Sequence, residues 1–340
     1  FWLKSIGSNS IEIVCPLVEL SERMEFQSYP DTPFAEGAYY ENTSQLKLYV
    51  GRVPPPEGKH PRCAAVIIHG LEDHAGRWKH VGDALAASPD FYADCYFPEW
   101  QGHGRSEGFK GVPGLIESVE SIIQDFGKVL RYVAQLHKGL PLFLFAHSGA
   151  GLFAVHMIAR FPEFRDLVTG GVILSAPAIM VNPKDDTWVN WNVVLPMCER
   201  ILKVWPGMPS PVPLGTETSH DADFLAQDDT DKLLRRGLRA GTAAHILRSM
   251  KEIEQASLME KFCLPFFMMC SELDLLVAPS GFKAFEEKAG TPTEDRKVLW
   301  LENSWHEALR EVPDIRNTAQ SEMEAWMKDR MLKHRPLSRA

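Results

Sequence analysis

Leu142-Phe143-Leu144-Phe145-Ala146-His147-Ser148-Gly149-Ala150-Gly151 is the stretch whose reading decides the fold. An apolar run suited to a buried strand stops at a serine among small residues, and a helix-patterned segment, Leu152 to Arg160, follows at once. Strand, sharp turn and helix put Ser148 at the apex. A hydroxyl there projects away from the sheet, and the next backbone N–H points to where an oxyanion would form. Close approach of strand and helix demands small neighbours two positions to either side, and Ala146 and Ala150 stand where the usual G-x-S-x-G pattern has glycines. Taken alone, Ser148 reads equally well as a turn or N-cap serine.

Outward from this stretch, strand and helix alternate. A hairpin is expected from Ala38-Tyr39-Tyr40 and Leu46 to Val50, and a fully apolar strand from Ala64 to Ile68 ending in His69-Gly70. A helix from about Arg77 to Ala87, a strand from Phe91 to Phe97 and a long amphipathic helix from about Leu115 to His137 follow. Beyond the elbow come a strand at Gly171 to Leu174, then Phe266 to Cys270, a helix from about Pro279 to Ala289, a strand from Lys297 to Leu301 and a closing helix from about Ile315 to Leu332. Apolar strands spaced by helices imply a mostly parallel sheet covered on both faces. The rhythm is lost between about Met180 and Leu258, where Pro, Trp, an acidic cluster (Asp221, Asp223, Asp228, Asp229, Asp231) and a helix-patterned stretch from about Asp231 to Met250 occur. That region is too long for a plain loop and reads as an inserted cap. The division expected is an extension (1–33), a first half of the core (34–180), a cap or lid (181–258) and a second half of the core (259–340).

The 340 residues suffice for a sizeable core, and 45% hydrophobic with 24% charged residues is ordinary for a globular chain. A net charge of −9 without a basic stripe argues against a nucleic-acid partner, and no apolar run reaches the roughly 20 residues of a membrane-spanning helix. Cys15, Cys63, Cys95, Cys198, Cys263 and Cys270 show no metal-type spacing and read as buried thiols of a reducing compartment. The expected location is cytoplasmic, with peripheral membrane contact open, and a start at Phe1 leaves open a targeting segment upstream. His74, His80, His103, His147 and His156 pair with no Cys or Asp at ligand spacing and read as structural, so no metal is expected.

An activated serine needs a base, and the base an acid that fixes its tautomer. Asp274 follows the strand Phe266 to Cys270, with Glu272 a nearby competitor, and His306 follows the last strand. Carboxyl ends of parallel strands share one edge of a sheet, so Ser148, Asp274 and His306 converge there in the chain order expected of such a scaffold. The loop His69 to Trp78 supplies a second donor: Gly70 lets the backbone turn so that the Leu71 N–H joins that of Gly149. Two such donors contribute several kcal/mol of transition-state stabilisation.

These residues resemble the α/β-hydrolase superfamily, and within it the monoglyceride lipase and lysophospholipase-like group related to the serine aminopeptidases. The resemblance covers roughly residues 35 to 330. It is carried by His69-Gly70-x-x-Asp73-His74-x-x-Arg77-Trp78, like the group's H-G-x-x-E/D-H-x-x-R-Y/W, and by Gly102-His103-Gly104-Arg105-Ser106-Glu107-Gly108, like its G-H-G-x-S-x-G. Leu264-Pro265-Phe266 before the acid's strand adds to it. The resemblance implies an α/β-hydrolase fold, a mostly parallel sheet of about eight strands with helices on both faces and an inserted cap. It also implies hydrolysis of a hydrophobic carboxylic ester through an acyl-serine intermediate, with no cofactor, monoacylglycerols or lysophospholipids being the expected substrates. Ser148 would be the nucleophile, His306 the base, Asp274 its orienter, and Leu71 and Gly149 the oxyanion hole. Asp73 and Arg77 would serve alcohol recognition or site support. Two departures stand out: the alanines beside the elbow, and Glu99 where the family usually has Asp.

Cap residues Trp188, Trp191, Val193, Val194, Leu195, Met197, Ile201, Leu202, Val204, Trp205 and Met208 read either as an acyl-chain tunnel with a membrane-touching face or as packing of the cap on the core. The same triad in an aminopeptidase, thioesterase or acyltransferase, and a silent hydrolase fold acting as a receptor, are the alternatives.

Overall fold

In a computed structural model the described residues are 24–334, apart from 30, 181–191, 194, 206, 211–217, 235, 236 and 256. Among them are the strands β1 (Glu36–Glu41), β2 (Lys47–Val53), β3 (Ala64–Ile68), β4 (Asp94–Pro98), β5 (Leu142–His147), β6 (Gly171–Ser175), β7 (Phe266–Cys270) and β8 (Arg296–Trp300). They form one eight-stranded sheet in the order β1-β2-β4-β3-β5-β6-β7-β8. The β1–β2 hairpin is antiparallel and joins β4 antiparallel, while β3 to β8 run parallel.

The central strands are buried on both faces, so their side chains sort by alternation alone. Leu142, Leu144 and Ala146 of β5 face the core beneath α2 (Val119–Leu136) and α3 (Gly149–Arg160). Phe143 and Phe145 face the opposite layer, built on α1 (Lys79–Ala87) and the closing helix. The short α4 (Pro162–Arg165) follows α3, and β6 leads into the insertion, where the described helices are α5 (Leu195–Val204), α6 (Ala222–Thr230) and α7 (Ala240–Gln255). The core resumes with α8 (Leu258–Lys261), β7, α9 (Pro279–Lys288), β8 and α10 (Pro313–Lys333).

Several boundaries differ from the sequence reading for local reasons. β4 starts at Asp94 because Tyr92 takes a left-handed backbone (φ 39°), which ends any extended run before it. α2 starts at Val119 because the Ser118 hydroxyl accepts the Ser121 N–H at 3.0 Å and caps it. The helix expected from Asp231 to Met250 begins instead at Ala240, after a turn over Lys232 and Leu233 and the positive-φ Gly237. Cys63, Cys95 and Cys270 are buried, but Cys263 is exposed, a correction to its reading as a buried thiol: it lies in the loop before β7, not in the strand. Cys15 and the side chain of Cys198 lie outside the described residues. No described helix is long and apolar enough to cross a membrane.

The apolar residues of the insertion divide. Leu195 and Ile201 pack with Ala240, Ala244 and Leu247 of α7, whereas Val193, Met197, Val204 and Trp205 are exposed, Val204 at 88%. Trp188, Trp191, Val194 and the side chain of Leu202 lie outside the described residues.

Candidate active site

Ser148 sits between β5 and α3 with φ 50° and ψ −117°, a conformation non-glycine residues rarely adopt. The loop after β6 holds it there. The Ser148 N–H donates to the Ser175 carbonyl at 2.9 Å, and the Ser148 carbonyl accepts from the N–H of Ala178 and of Gly151, both at 2.9 Å. The tight contacts explain the flanking alanines. A Cβ on Gly151 would lie 2.5 Å from Pro177 Cβ, and one on Gly149 would lie 2.7 Å from the Trp100 ring, so the positions that must be glycine here are one and three residues after the serine. Ala146 and Ala150 fit as buried methyls.

Asp274 and His306 meet at the carboxyl ends of β7 and β8. His306 Nδ1 lies 2.7 Å from Asp274 Oδ2, and the other carboxylate oxygen accepts the Leu276 and Val277 N–H groups at 2.8 and 3.0 Å. A carboxylate so occupied accepts from the ring, which leaves Nε2 with the lone pair. Burial disfavours the imidazolium, but the charge of Asp274 and its hydrogen bond outweigh that and raise the His306 pKa. Burial likewise opposes the carboxylate, yet His306 and the two N–H groups hold Asp274 below the usual range. Glu272, the competitor for the acid role, is exposed and pairs with Lys283 at 2.8 Å.

His147 bridges the elbow and this pair. Its ring centroid is 4.9 Å from that of His306 and 4.4 Å from that of Trp78, and Nδ1 lies 3.2 Å from the Ser175 hydroxyl. Burial and the neighbouring His306 keep its pKa well below the ordinary value, so it stays neutral as His306 titrates. Among the described residues no hydrogen bond joins the Ser148 hydroxyl to His306. Contacts of this kind are commonly loose in unliganded sites and tighten with substrate.

The loop after β3 lies against the elbow. A Cβ on Gly70 would fall 3.2 Å from Ser148 Cβ, and one on Gly149 would fall 3.7 Å from Leu71 Cβ, so Gly70, Leu71, Ser148 and Gly149 are immediate neighbours. His69 Nδ1–H donates to the Gly70 carbonyl at 2.8 Å, and its Nε2 accepts the Trp100 N–H at 3.3 Å. In a trans peptide the N–H is antiparallel to the C=O, so this bond turns the Leu71 N–H away from His69. Trp100 stacks on His69, returns its indole N–H to the His69 carbonyl at 3.0 Å and touches Gly149, bracing both loops. Burial holds His69 neutral, with a pKa lowered to about 3.

Asp73 and Arg77 spend their polar atoms on the protein itself. Asp73 accepts from the Gly70 and His74 N–H groups, from the Trp78 indole N–H at 2.6 Å, and pairs with Arg77 at 2.8 Å. Burial opposes both charges, but Arg77 keeps Asp73 ionised and the surrounding carboxylates keep Arg77 protonated. Arg77 also reaches Asp228 of α6 and Glu307, the residue after the histidine. Two other residues of the acidic cluster dock the same way: Asp221 caps α6 and pairs with Arg316, and Asp231 lies 2.7 Å from His74 Nε2. Glu99 is buried against Gly104 and accepts the Arg105 N–H at 2.5 Å, with the Arg105 guanidinium at 3.7 Å, so the longer carboxylate still finds local partners.

Residues 59–313 match the family described as serine aminopeptidase, S33. The chain belongs to this family. As an S33 member it is 23% identical over 279 residues to the monoglyceride lipase of Homo sapiens, covering 79% of this chain and 84% of that protein. It is 26% identical over 254 residues to the monoacylglycerol lipase of Mycolicibacterium smegmatis, covering 74% and 83%. A soluble variant of monoglyceride lipase from Saccharomyces cerevisiae, solved with a substrate analogue, superposes with TM-score 0.71 at 14% identity, covering 91% of this chain and 95% of that one. The fold is that of the α/β-hydrolases, and the S33 chain stands among monoglyceride-lipase-like members of the superfamily.

Trp100, Asp228, Glu307 and Arg310 join the site, together with His69, although nothing in the sequence marks the roles of the first four. Their partners lie far away along the chain, Arg77 being 151 residues from Asp228, and a periodicity scan does not register such pairs. His69 before Gly70 carried the one usable signal, a ring donor beside a peptide that must be oriented.

Proposed function

We propose that this chain is a serine hydrolase of carboxylic esters with hydrophobic acyl chains, working through an acyl-enzyme. One observation carries the reading: a serine in a strained turn, directly after His147, whose ring centroid lies 4.9 Å from that of a buried histidine with its Nδ1 held by a carboxylate at 2.7 Å. His306 Nε2 takes the Ser148 hydroxyl proton as Oγ attacks the ester carbonyl, and the carbonyl electron pair moves to oxygen, to which the Leu71 and Gly149 N–H groups donate. Collapse breaks the bond to the alcohol, which leaves with the proton from Nε2. Water then repeats the sequence on the acyl-serine, with His306 again as base. Asp274 stays ionised and stabilises the imidazolium.

Asp73 and Arg77 act as site support, because each is committed to the other and to neighbouring loops. The segment 181–258 acts as a cap. Its exposed Met197, Val204 and Trp205 on and after α5 form an apolar face suited to peripheral contact with a lipid surface, consistent with a monoacylglycerol or lysophospholipid as substrate. Ester hydrolase relatives support this choice over amide or thioester chemistry. The test is hydrolysis of a monoacylglycerol, a lysophospholipid, a soluble ester, an aminoacyl amide and an acyl thioester of matched chain length. Highest kcat/KM on the monoacylglycerol or lysophospholipid supports the reading, and a clear preference for the amide or thioester overturns the substrate class.

A further inference from the structure

The charges joining α6 to the core form a closed ring. Asp228 Oδ1 accepts from Arg77 Nε at 2.9 Å and from Arg310 Nη2 at 2.7 Å, and its Oδ2 accepts from Arg77 Nη2 at 2.5 Å. Glu307 Oε2 closes the ring by accepting from Arg77 Nη2 and Arg310 Nε, each at 3.0 Å. Arg310 also donates to the Arg77 carbonyl at 3.2 Å, and its guanidinium lies over the Phe224 ring of α6 at 4.4 Å. All four side chains are nearly or fully buried, so solvent screens these contacts little.

The ring joins three parts of the chain that carry different pieces of the chemistry. Arg77 belongs to the loop whose Asp73 holds the Gly70 N–H, and Gly70 precedes the Leu71 donor. Glu307 directly follows His306, and Arg310 ends the same short loop. Asp228 comes from neither but from the segment between β6 and β7. Neighbouring contacts work the same way: the Glu307 N–H donates to the Thr218 carbonyl, the Ser219 hydroxyl to the Arg310 carbonyl, and the ring of His220 lies 3.9 Å from that of Trp305.

We infer that Asp228 is a positioning residue for ester hydrolysis, clamping the loop of the base and the loop of the Leu71 donor into one register from the insertion. It rests on the triad reading above. Asp228 touches neither substrate nor reacting atoms. Its carboxylate is the group on α6 that contacts both arginines, and a bidentate fork on Arg77 with a second bond to Arg310 fixes their relative position in a way a single ion pair does not. A shift of about 1 Å between base and oxyanion donors lowers turnover about a hundredfold without removing a contact to substrate.

The experiment measures kcat and KM on a soluble p-nitrophenyl ester for Asp228→Asn, Asp228→Glu and Asp223→Asn, the last removing an exposed charge from the same helix. Asp228→Asn is expected to lower kcat about ten- to hundredfold with KM within about twofold, Asp228→Glu to recover most of it, and Asp223→Asn to match the parent. If Asp228→Asn does not fold, Arg310→Lys, which keeps the charge and loses the fork, is expected to lower kcat about tenfold at constant KM. An unchanged kcat, or a loss carried by KM alone, overturns the inference. Activity retained in Ser148→Ala would instead defeat the underlying triad reading, so the two failures are distinguishable.

Discussion

Asp274 Oδ2 lies 2.7 Å from His306 Nδ1, and that contact holds the His306 pKa above its ordinary value against the pull of burial. In the proposed mechanism the competent base is the neutral ring, so kcat/KM falls as pH drops through a pKa above about 6.5. In Asp274→Asn the largest contribution opposing burial is lost, leaving only the weaker pull of Glu307 and Asp73. The acid limb moves to lower pH and kcat falls roughly 10⁴-fold, read from a pH profile on a soluble ester. Glu272→Gln, altering an exposed side chain, leaves both unchanged.

Gly151→Ala sets a methyl 2.5 Å from Pro177 Cβ, in the loop that clamps the Ser148 backbone. Overpacking of this kind costs about 1–3 kcal/mol. Thermal unfolding records the loss, and esterase activity falls further than the loss of folded protein explains, because the elbow is the part displaced.

His69→Phe keeps an aromatic ring beside Trp100 and removes the donor to the Gly70 carbonyl. The Leu71 peptide is then free to rotate. kcat falls about ten- to hundredfold with little change in KM, as expected when stabilisation is lost only in the transition state.

Asp125 illustrates a buried carboxylate remote from the chemistry. Burial raises its pKa to about 6, although Gln101 and Asn42 donate to it. A folded-state pKa above the unfolded value of about 3.9 means the ionised group destabilises the fold above pH 6, and that this penalty disappears as pH falls toward 4. Asp125→Asn is therefore more stable than the parent at pH 8, by about 2–3 kcal/mol at most, and the gap narrows on acidification in denaturant titrations at pH 8 and pH 5.

Much of this architecture is legible in the sequence. Ala64–Ile68, Leu142–His147 and Phe266–Cys270 form strands at the positions read from the chain, because strands buried on both faces are unbroken apolar runs. Ser148, Asp274 and His306 each follow their own strand, as read from the chain, and Asp274 and His306 meet at 2.7 Å. Other features were set by local backbone conformation or by contacts between distant segments. A left-handed Tyr92 cut short one strand, and the turn before Ala240 shortened the helix-patterned stretch that begins at Asp231. Asp228 stood in the sequence as one acid in a cluster of five. Only folding shows that it meets Arg77 and Arg310, whereas Asp223 remains exposed.

The most direct test of the account is labelling of the whole protein with a fluorophosphonate probe, followed by peptide mapping of the adduct. One adduct on Ser148, lost in Ser148→Ala together with hydrolysis of a monoacylglycerol, is the predicted result. No labelling, an adduct on another serine, or undiminished hydrolysis by Ser148→Ala would contradict it.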